Sequence, residues 1–344
     1  MCRRPTSSNS PPSSARFRYA NSVKVSRRAF VTALALAPAV LRAQSQRTIA
    51  WYGIGGPDDF LPYLNSLQAG LKNAGWEEGR NLRMLRFASA KYPDDFASVV
   101  PQVMAAKPEL VVTQEFATVG MRDFAKGAVP VVFGFSGDPV EAKLVKTLAR
   151  PETSFTGITY LASALVGKRI EFLKEALPGV QRIGILARPQ HPGEPEERRA
   201  SEKAAAELGL NVVYFPIFAP AEIEKAFAGM RDAKCDALVV FPDAIMYRNR
   251  ELISQLAAVA RLPSISGWSS FADSGLLLNY GPNLRDIYVR LGSYVDRILR
   301  GTPPGVLPVE EPRAIELVVN LRTARALGVK LSQSVLVRAD RVIE

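Results

Sequence analysis

Several apolar runs of this 344-residue chain end in polar or acidic residues that could hold a small molecule. Ser136 and Gly137 end one run and provide a hydroxyl group and free backbone N–H donors, which suit a carboxylate. Glu115 and Asp243 follow two other runs, and a buried carboxylate can hold an ammonium group. These residue types predict ligand binding by hydrogen bonds and charge.

Two aspartates have a structural interpretation beside the ligand-binding one. Asp138 stands before Pro139, where its side chain could cap the helix that the proline begins, and this is slightly favoured over ligand contact. Asp243 follows Phe241 and Pro242 and has the same two interpretations. Both aspartates are therefore candidates for ligand binding with capping as the alternative.

Aromatic residues occur near the ends of the same runs, namely Trp51, Tyr52, Phe116, Phe135, Tyr247, Trp268 and Tyr280. Most of them are expected in the hydrophobic core. Trp268 and Phe116 are the strongest candidates for stacking on a ligand, because small polar residues flank them. Tyr280 is a further ligand-binding candidate.

The chain has one histidine and two cysteines, which narrows the possible chemistry. His191 lies in the Pro-rich segment RPQHPGEPEE with no serine nearby in sequence, so a Ser-His-Asp triad is disfavoured. Cys235 precedes an apolar run and is interpreted as a buried, inert thiol. A zinc site needs several His or Cys ligands. We therefore predict no catalytic residue and no metal site, with carboxylate-based catalysis as the remaining enzymatic alternative.

The segment GIGGPDD at 53–59 follows an apolar run and precedes an amphipathic one. It lacks the Gly-x-Gly-x-x-Gly spacing of dinucleotide-binding turns, and an acidic residue at the start of a helix would repel a pyrophosphate. Asp58 and Asp59 are interpreted as helix caps. No cofactor is predicted.

Apolar and amphipathic runs alternate along the chain. Strands are predicted at 48–54, 82–87, 108–113, 129–135, 181–187, 210–217, 236–242, 262–268 and 275–281. Helices are predicted at 60–74, 94–106, 121–126, 165–177, 196–208, 221–233, 249–260 and 284–299. Such alternation is typical of parallel sheets covered on both faces. Because the series restarts after a break at 150–165, the predicted fold is α/β, with two doubly wound parallel-sheet lobes, and ligands are expected at the carboxyl ends of the strands.

The beginning of the chain resembles an export signal. The arginine pair at 27–28 precedes an uncharged run of about 13 residues at 29–41, shorter than the roughly 20 residues that span a bilayer. This pattern matches a twin-arginine leader. Residues 1–43 are therefore predicted to be a leader cleaved near Ala43, which would place the protein in the periplasm. An uncleaved membrane anchor and a later translation start near 23–25 are alternatives.

The leader also explains most of the net charge. The chain has 44 basic and 33 acidic residues and a net charge of +11. Eight basic residues and no acidic residue lie within 1–43, so the remainder carries 36 basic and 33 acidic residues, a net charge of +3. Since no Lys/Arg cluster alternates with aromatic residues, the sequence does not indicate nucleic-acid binding.

Three long segments occur in the order and spacing of one protein family. They are GDPVEAKLVKTLARPETSFTGIT at 137–159, LVGKRIEFLKEALPGVQRIGIL at 165–186 and GLLLNYGPNLRDIYVRLGSYVDRILRGTPPGVLPVEEPRAIELVVNLRTARALGVKL at 275–331. From about Arg47 onward, the chain resembles the ABC-transporter substrate-binding proteins of the tryptophan/tyrosine type. The resemblance implies the type I periplasmic-binding-protein fold, with a ligand in the cleft between two lobes.

The resemblance also implies where the chain crosses between the lobes, namely at 155–160, at 278–283 and within 310–320. The implied lobes are 47–155 with about 283–310, and 156–282 with about 311–344. Thr156 and Gly157, at the first crossing, would add donors for a ligand carboxylate.

Two loops depart from the family pattern. The usual Gly/Thr-rich loop after the third strand is TQEFAT here and contains Glu115 and Phe116. The usual Asn-Pro-rich loop of the second lobe is RPQHPGEP. Both loops would face the cleft, so the ligand need not be an aromatic amino acid.

The resemblance implies a periplasmic solute receptor of an ABC importer, a monomer without enzymatic activity. It would bind a small molecule, such as an amino acid or another small carboxylate, by hinge closure and pass it to a membrane permease with its ATPase. One alternative is a ligand sensor for a membrane signalling partner. Another is an exported enzyme that uses paired carboxylates such as Asp138 and Asp243.

Overall fold

The computed structural model describes residues 46–56 and 61–344. The leader predicted at 1–43 and the caps predicted at Asp58 and Asp59 lie outside the described residues. Within the described part of the chain, no helix is long and apolar enough to cross a membrane.

Five parallel strands form the first sheet, in the order β2-β1-β3-β4-β5. The strands are β1 (Arg47–Ile54), β2 (Leu82–Ser89), β3 (Leu110–Gln114), β4 (Val131–Phe135) and β5 (Phe155–Thr159). The connecting helices are α1 (Leu61–Asn73), α2 (Phe96–Ala105) and α3 (Glu115–Gly120), which continues as a π-helical turn, Met121–Ala125. The central strands are rich in buried Val, Ile and Phe, as expected for a parallel sheet covered on both faces.

Seven strands form the second sheet, in the order β12-β11-β10-β9-β8-β6-β7. They are β6 (Arg182–Ala187), β7 (Asn211–Pro216), β8 (Ala237–Val240), β9 (Ser264–Ser266), β10 (Leu278–Pro282), β11 (Ile315–Asn320) and β12 (Arg341–Ile343). The helices from here on are α4 (Ala162–Ala176), α5 (Glu194–Glu207), α6 (Ile223–Asp232), α7 (Ala244–Arg248), α8 (Arg250–Val259), α9 (Ser269–Ser274), α10 (Leu284–Leu299), α11 (Leu321–Leu327) and α12 (Gln333–Val337). Strands β10 and β11 pair in the antiparallel direction, and the other described pairs of this sheet are parallel.

Helix α10 packs with the first sheet although it follows β10 of the second. A Cβ atom added to Gly70 in α1 would lie 2.0 Å from the carbonyl oxygen of Val289 in α10. A Cβ atom added to Gly292 would lie 2.5 Å from the carbonyl carbon of Gly70. The two glycines therefore allow the helix backbones to touch. The predicted α/β fold with two parallel-sheet lobes is confirmed.

Within the described residues, the chain passes between the lobes at three places: after β5, after β10 and before β11. Glu310 joins the first and third of these crossings. Its backbone N–H donates to the Gly157 carbonyl at 3.0 Å, and its carbonyl accepts from the Thr159 N–H at 3.0 Å. The Thr156 hydroxyl donates to the Leu307 carbonyl at 2.7 Å. The crossing segments therefore lie side by side as a bonded hinge.

The structure corrects two helix predictions. A helix was predicted at 121–126, whereas α3 already begins at Glu115, so tertiary packing overrides the weak helix preference of its Thr, Val and Gly residues. The residues after Pro139 form consecutive turns and no helix. Asp138 caps these turns by accepting from the backbone N–H of Val140 at 2.6 Å.

Replacing Gly70 with alanine should destabilise the protein by about 1–3 kcal/mol, because the added methyl group forces α1 and α10 apart. Gly179→Ala is a matched control, since an added Cβ there meets no atom within 4 Å. It should change the free energy of unfolding by no more than about 0.5 kcal/mol. Urea denaturation measures both values. Equal stability of the two variants would refute the packing explanation.

Candidate functional site

The loop after β4 of the first lobe lies against the loop before α5 of the second lobe. A Cβ atom on Gly137 would lie 3.0 Å from the Pro192 carbonyl oxygen, and one on Gly193 would lie 3.3 Å from the Ser136 carbonyl oxygen. Both loops follow the carboxyl ends of parallel strands, where ligands bind in open α/β sheets. The lobes are therefore in contact at the edge where a ligand is expected, and we call this contact the seam.

Buried polar residues from both lobes meet at the seam and are here called the interlobe cluster, namely Glu115, Ser136, Arg169, Arg188, His191, Glu197 and Asp243. None of them is more than 4% exposed. Ser136 Oγ donates to Glu115 Oε2 at 2.6 Å and lies 2.7 Å from His191 Nε2. His191 Nε2 is also 3.6 Å from Glu115 Oε2. A hydrogen-bonded chain of three residues therefore crosses from the first lobe to the second.

Glu197 in α5 continues this chain within the second lobe. Arg169 Nη1 donates to Glu197 Oε1 at 3.0 Å, and His191 Nδ1 lies 3.6 Å from Glu197 Oε2. Arg169 Nε also donates to the backbone carbonyl of Tyr280 in β10 at 2.8 Å. These contacts connect His191 to a strand that leads into the hinge.

Arg188 and Asp243 form a second buried ion pair, with Arg188 Nη1 3.5 Å from Asp243 Oδ2. Asp243 Oδ1 accepts from the backbone N–H of Met246 at 2.7 Å, which confirms that Asp243 caps α7. The Arg188 guanidinium also reaches the first lobe, where it donates to the Tyr92 hydroxyl. It lies 4.6 Å from the centre of the Tyr92 ring and 5.9 Å from that of Phe116. Arg188 therefore bridges the lobes beside the Ser136–His191 contact.

The charges of the cluster determine the protonation of His191. Burial lowers its pKa, but the hydrogen bond and charge of Glu115 and the charges of Glu197 and Asp243 outweigh burial and raise the pKa to about 9. His191 is therefore protonated at neutral pH. Burial raises the pKa of Glu197 and lowers that of Arg169, because removal from water disfavours both charged forms.

The order Ser136, His191, Glu197 resembles a nucleophilic triad. However, a histidine that is already protonated cannot take the serine proton. The Ser136 hydroxyl also donates to Glu115, and His191 Nδ1 has no hydrogen-bond partner among the described residues. The arrangement therefore fits a link between the lobes better than an activated nucleophile. Within residues 46–56 and 61–344, no group of three or more His, Cys, Asp or Glu side chains could hold a metal ion.

Six aromatic residues lie beside the cluster and are here called the aromatic set, namely Trp51, Tyr63, Tyr160, Tyr247, Trp268 and Tyr288. Tyr63 stacks on Tyr288 with ring centres 5.4 Å apart, and it meets Tyr247 of the second lobe at 5.8 Å. Trp268 lies 6.0 Å from Tyr247 and 6.3 Å from Tyr160. The hydroxyl oxygens of Tyr160 and Tyr288 are 2.9 Å apart. These contacts form a closed circuit of rings drawn from both lobes.

The end of β3 presents Gln114 and Glu115 to the aromatic set. The Tyr288 hydroxyl donates to Gln114 Oε1 at 2.9 Å, and the charge of Glu115 helps burial to raise the pKa of Tyr288 and Tyr160. Gln114 Nε2 and Glu115 Oε1 are buried without a hydrogen-bond partner among the described residues, which is uncommon and points to a ligand or water. Glu115 also has a left-handed backbone (φ 46°), a strained conformation that is frequent at functional sites.

The structure brings six of the predicted ligand residues to the seam or its immediate neighbours, namely Glu115, Phe116, Ser136, Gly137, Asp243 and Trp268. The other four have structural partners. Asp138 is exposed and caps its own turn, and Thr156 bonds within the hinge. A Cβ atom on Gly157 would lie 2.0 Å from a carbonyl oxygen of β4. The Tyr280 ring packs 4.8 Å from that of Phe172 in the second lobe.

Sequence reasoning missed several residues of the site, namely Tyr63, Tyr92, Tyr160, Arg169, Arg188, His191, Glu197 and Tyr288. The segment RPQHPGEP was expected to face the cleft, and that signal could have pointed to His191 and its neighbour Arg188. Tyr288 lies within the helix predicted at 284–299, and no role in the site was predicted for it. The contacts of the remaining residues depend on packing between lobes, which no local pattern shows.

Residues 58–343 match the family model described as ABC transporter substrate binding protein. A tyrosine-binding protein of Clostridioides difficile (strain R20291) is 23% identical over 261 residues, which cover 76% of this chain and 74% of that protein. A conserved domain protein of Vibrio cholerae has a TM-score of 0.81 at 27% identity, covering 87% of this chain and all of that one. The ABC domain of Streptococcus pneumonia in complex with L-Trp has a TM-score of 0.79 at 23% identity, with the same coverage.

The His191 ion pairs should make stability depend on pH. Because folding raises the His191 pKa from 6.5 to about 9, its contribution is fully present below pH 6.5 and is lost as the pH rises through about 9. This contribution is on the order of 3 kcal/mol. Urea denaturation of the parent chain and of His191→Gln at pH 6.5 and pH 10 should show a stability difference that shrinks at the higher pH. A difference that is independent of pH would contradict a protonated His191.

Proposed function

Because the chain belongs to the family of ABC transporter substrate binding proteins, we propose that it is the periplasmic receptor of an ABC importer. It binds a small organic solute between its lobes, acts as a monomer and has no enzymatic activity. It passes the solute to the membrane permease and ATPase of the importer. The leader pattern at 1–43 supports export by the twin-arginine route.

The observation that carries the proposal is the aromatic set, whose rings come from both lobes. Tyr63 and Tyr288 belong to the first lobe, whereas Tyr247 and Trp268 belong to the second. A solute that inserts between these pairs contacts all of them only when the lobes are closed. Binding therefore favours the closed state, which is the hinge closure for which periplasmic binding proteins are a standard example.

The same rings indicate the shape of the solute. Aromatic side chains offer flat apolar faces with little conformational freedom, so they favour a solute with a flat apolar body. Two similar proteins have ligands of this shape: the tyrosine-binding protein and the structure in complex with L-Trp. The ligands named for these relatives make an amino acid or another small carboxylate the first class of solute to test.

A thermal-shift screen tests the receptor function. We expect a rise in Tm confined to one chemical class in a panel of amino acids, carboxylates, purines, pyrimidines, sugars and uncharged aromatic compounds. A ligand at 100 times its Kd adds about 2.7 kcal/mol, which corresponds to several degrees for a chain of this size. Trp268→Ala should abolish the shift because it removes a ring from the circuit.

Trp76→Ala provides the matched control. Trp76 lies just after the end of α1, at the opposite edge of the first sheet, where its indole N–H donates to Asp296 at 2.8 Å. This variant should keep the ligand-induced shift even if its own Tm is lower. Equal loss of the shift in both tryptophan variants, or full retention in Trp268→Ala, would show that the solute does not bind at the aromatic set.

A further inference from the structure

The charges at the seam are balanced within the protein. Glu115 lies 3.6 Å from His191, Glu197 lies 3.0 Å from Arg169, and Asp243 lies 3.5 Å from Arg188. These three carboxylates and three cations belong to side chains that are at most 4% exposed. Each formal charge of the interlobe cluster therefore already faces an opposite charge.

A charged solute would have to compete with these internal partners. The ammonium group of a solute at Asp243 would meet the Arg188 guanidinium, and Asp243 Oδ1 is committed to capping α7. A solute carboxylate near His191 or Arg188 would compete with Glu115 or Asp243. Breaking a buried pair leaves an uncompensated charge, which is strongly unfavourable. The cluster therefore disfavours solutes with ionised groups.

Among the described residues, Arg188 Nε, His191 Nδ1 and Glu197 Oε2 of the cluster lack a hydrogen-bond partner, but they belong to groups whose charges are already paired. Two further unpartnered atoms, at the end of β3, suit a neutral solute. Gln114 Nε2 is a neutral donor, and Glu115 Oε1 can accept one further hydrogen bond. The hydroxyls of Tyr160 and Tyr288 are held neutral because burial raises their pKa. An O–H or N–H group on an aromatic ring would satisfy Glu115 Oε1 while the ring contacts the aromatic set.

We infer that the solute is an uncharged aromatic compound with a hydroxyl or ring N–H group, of the phenol or indole class. This inference rests on the proposed receptor function and narrows it away from amino acids and carboxylates. The observation that carries it is the internal pairing of the cluster beside an aromatic circuit. This pairing also gives a physical reason why the loops TQEFAT and RPQHPGEP depart from the family pattern, since they contain Glu115 and His191.

Calorimetric titration with matched probes tests the inference. Indole should bind at least about tenfold more tightly than L-tryptophan, and phenol more tightly than L-tyrosine, because the amino acids must bury two more charges. Tighter binding of the amino acids would overturn the inference and leave the receptor proposal standing. No binding of any uncharged aromatic probe at millimolar concentration would overturn it as well. The Trp268→Ala thermal-shift comparison then decides separately whether the receptor proposal survives.

Two charge variants give a sharper test. Asp243→Asn can still cap α7 but leaves Arg188 without its carboxylate, so the affinity for indole-3-acetate relative to indole should rise about tenfold or more. Arg188→Gln leaves Asp243 unpaired and should raise the affinity for tryptamine relative to indole by a similar factor. The control Asp232→Asn, on the exposed surface of α6, should change neither ratio.

Circular dichroism and melting curves establish that each variant is folded before titration. Both ratios moving in the stated directions would support the inference. If both folded variants keep the parent ratios, the internal ion pairs do not select against charged solutes and the inference is wrong.

Discussion

The hydrogen bond between Ser136 and His191 governs the arrangement at the seam, because it joins the two lobes through groups that are shielded from water. Glycines at 137 and 193 let the loop backbones approach closely enough for this bond to form. Once the loops are in contact, the charges of the interlobe cluster are buried and need partners. The ion pairs of Glu115, Glu197 and Asp243 meet that requirement.

Desolvation offsets much of the attraction within buried ion pairs, but the raised pKa of His191 means that its interactions with Glu115 and Glu197 still favour the folded state at neutral pH. Of the three pairs, Glu115 with His191 joins the two lobes, whereas the other two lie within the second lobe. The aromatic set is the surface that we propose for the solute, and backbone hydrogen bonds of Glu310 join two of the crossing segments. In the proposed receptor, the solute therefore contacts one set of groups and the lobes are joined by another, at the same edge of the two sheets.

Much of the fold follows from sequence patterns that act locally. Apolar strands and amphipathic helices alternate, as predicted. The predicted break at 150–165, however, contains β5, the last strand of the first sheet, and the chain enters the second lobe only after it. Local patterns did not predict which residues meet at the candidate site. Ser136 and His191 are 55 residues apart in sequence, and the pairing of Tyr63 with Tyr288 depends on α10 returning to the first lobe. Glu115 was predicted in a loop, whereas it begins α3 with a strained backbone. Packing imposes that conformation, so no local pattern could show it. The cap at Asp243 was predictable because capping depends only on neighbouring residues.

The proposed recognition places an aromatic compound between the lobes, within the aromatic set. A crystal structure of the protein with the tightest-binding aromatic probe tests this most directly. We expect electron density for one probe molecule between the rings of Tyr63 and Tyr288 on one side and those of Tyr247 and Trp268 on the other, with Ser136 still bonded to His191. Density for the probe elsewhere on the protein, with the ring contacts unchanged, would contradict binding at the aromatic set.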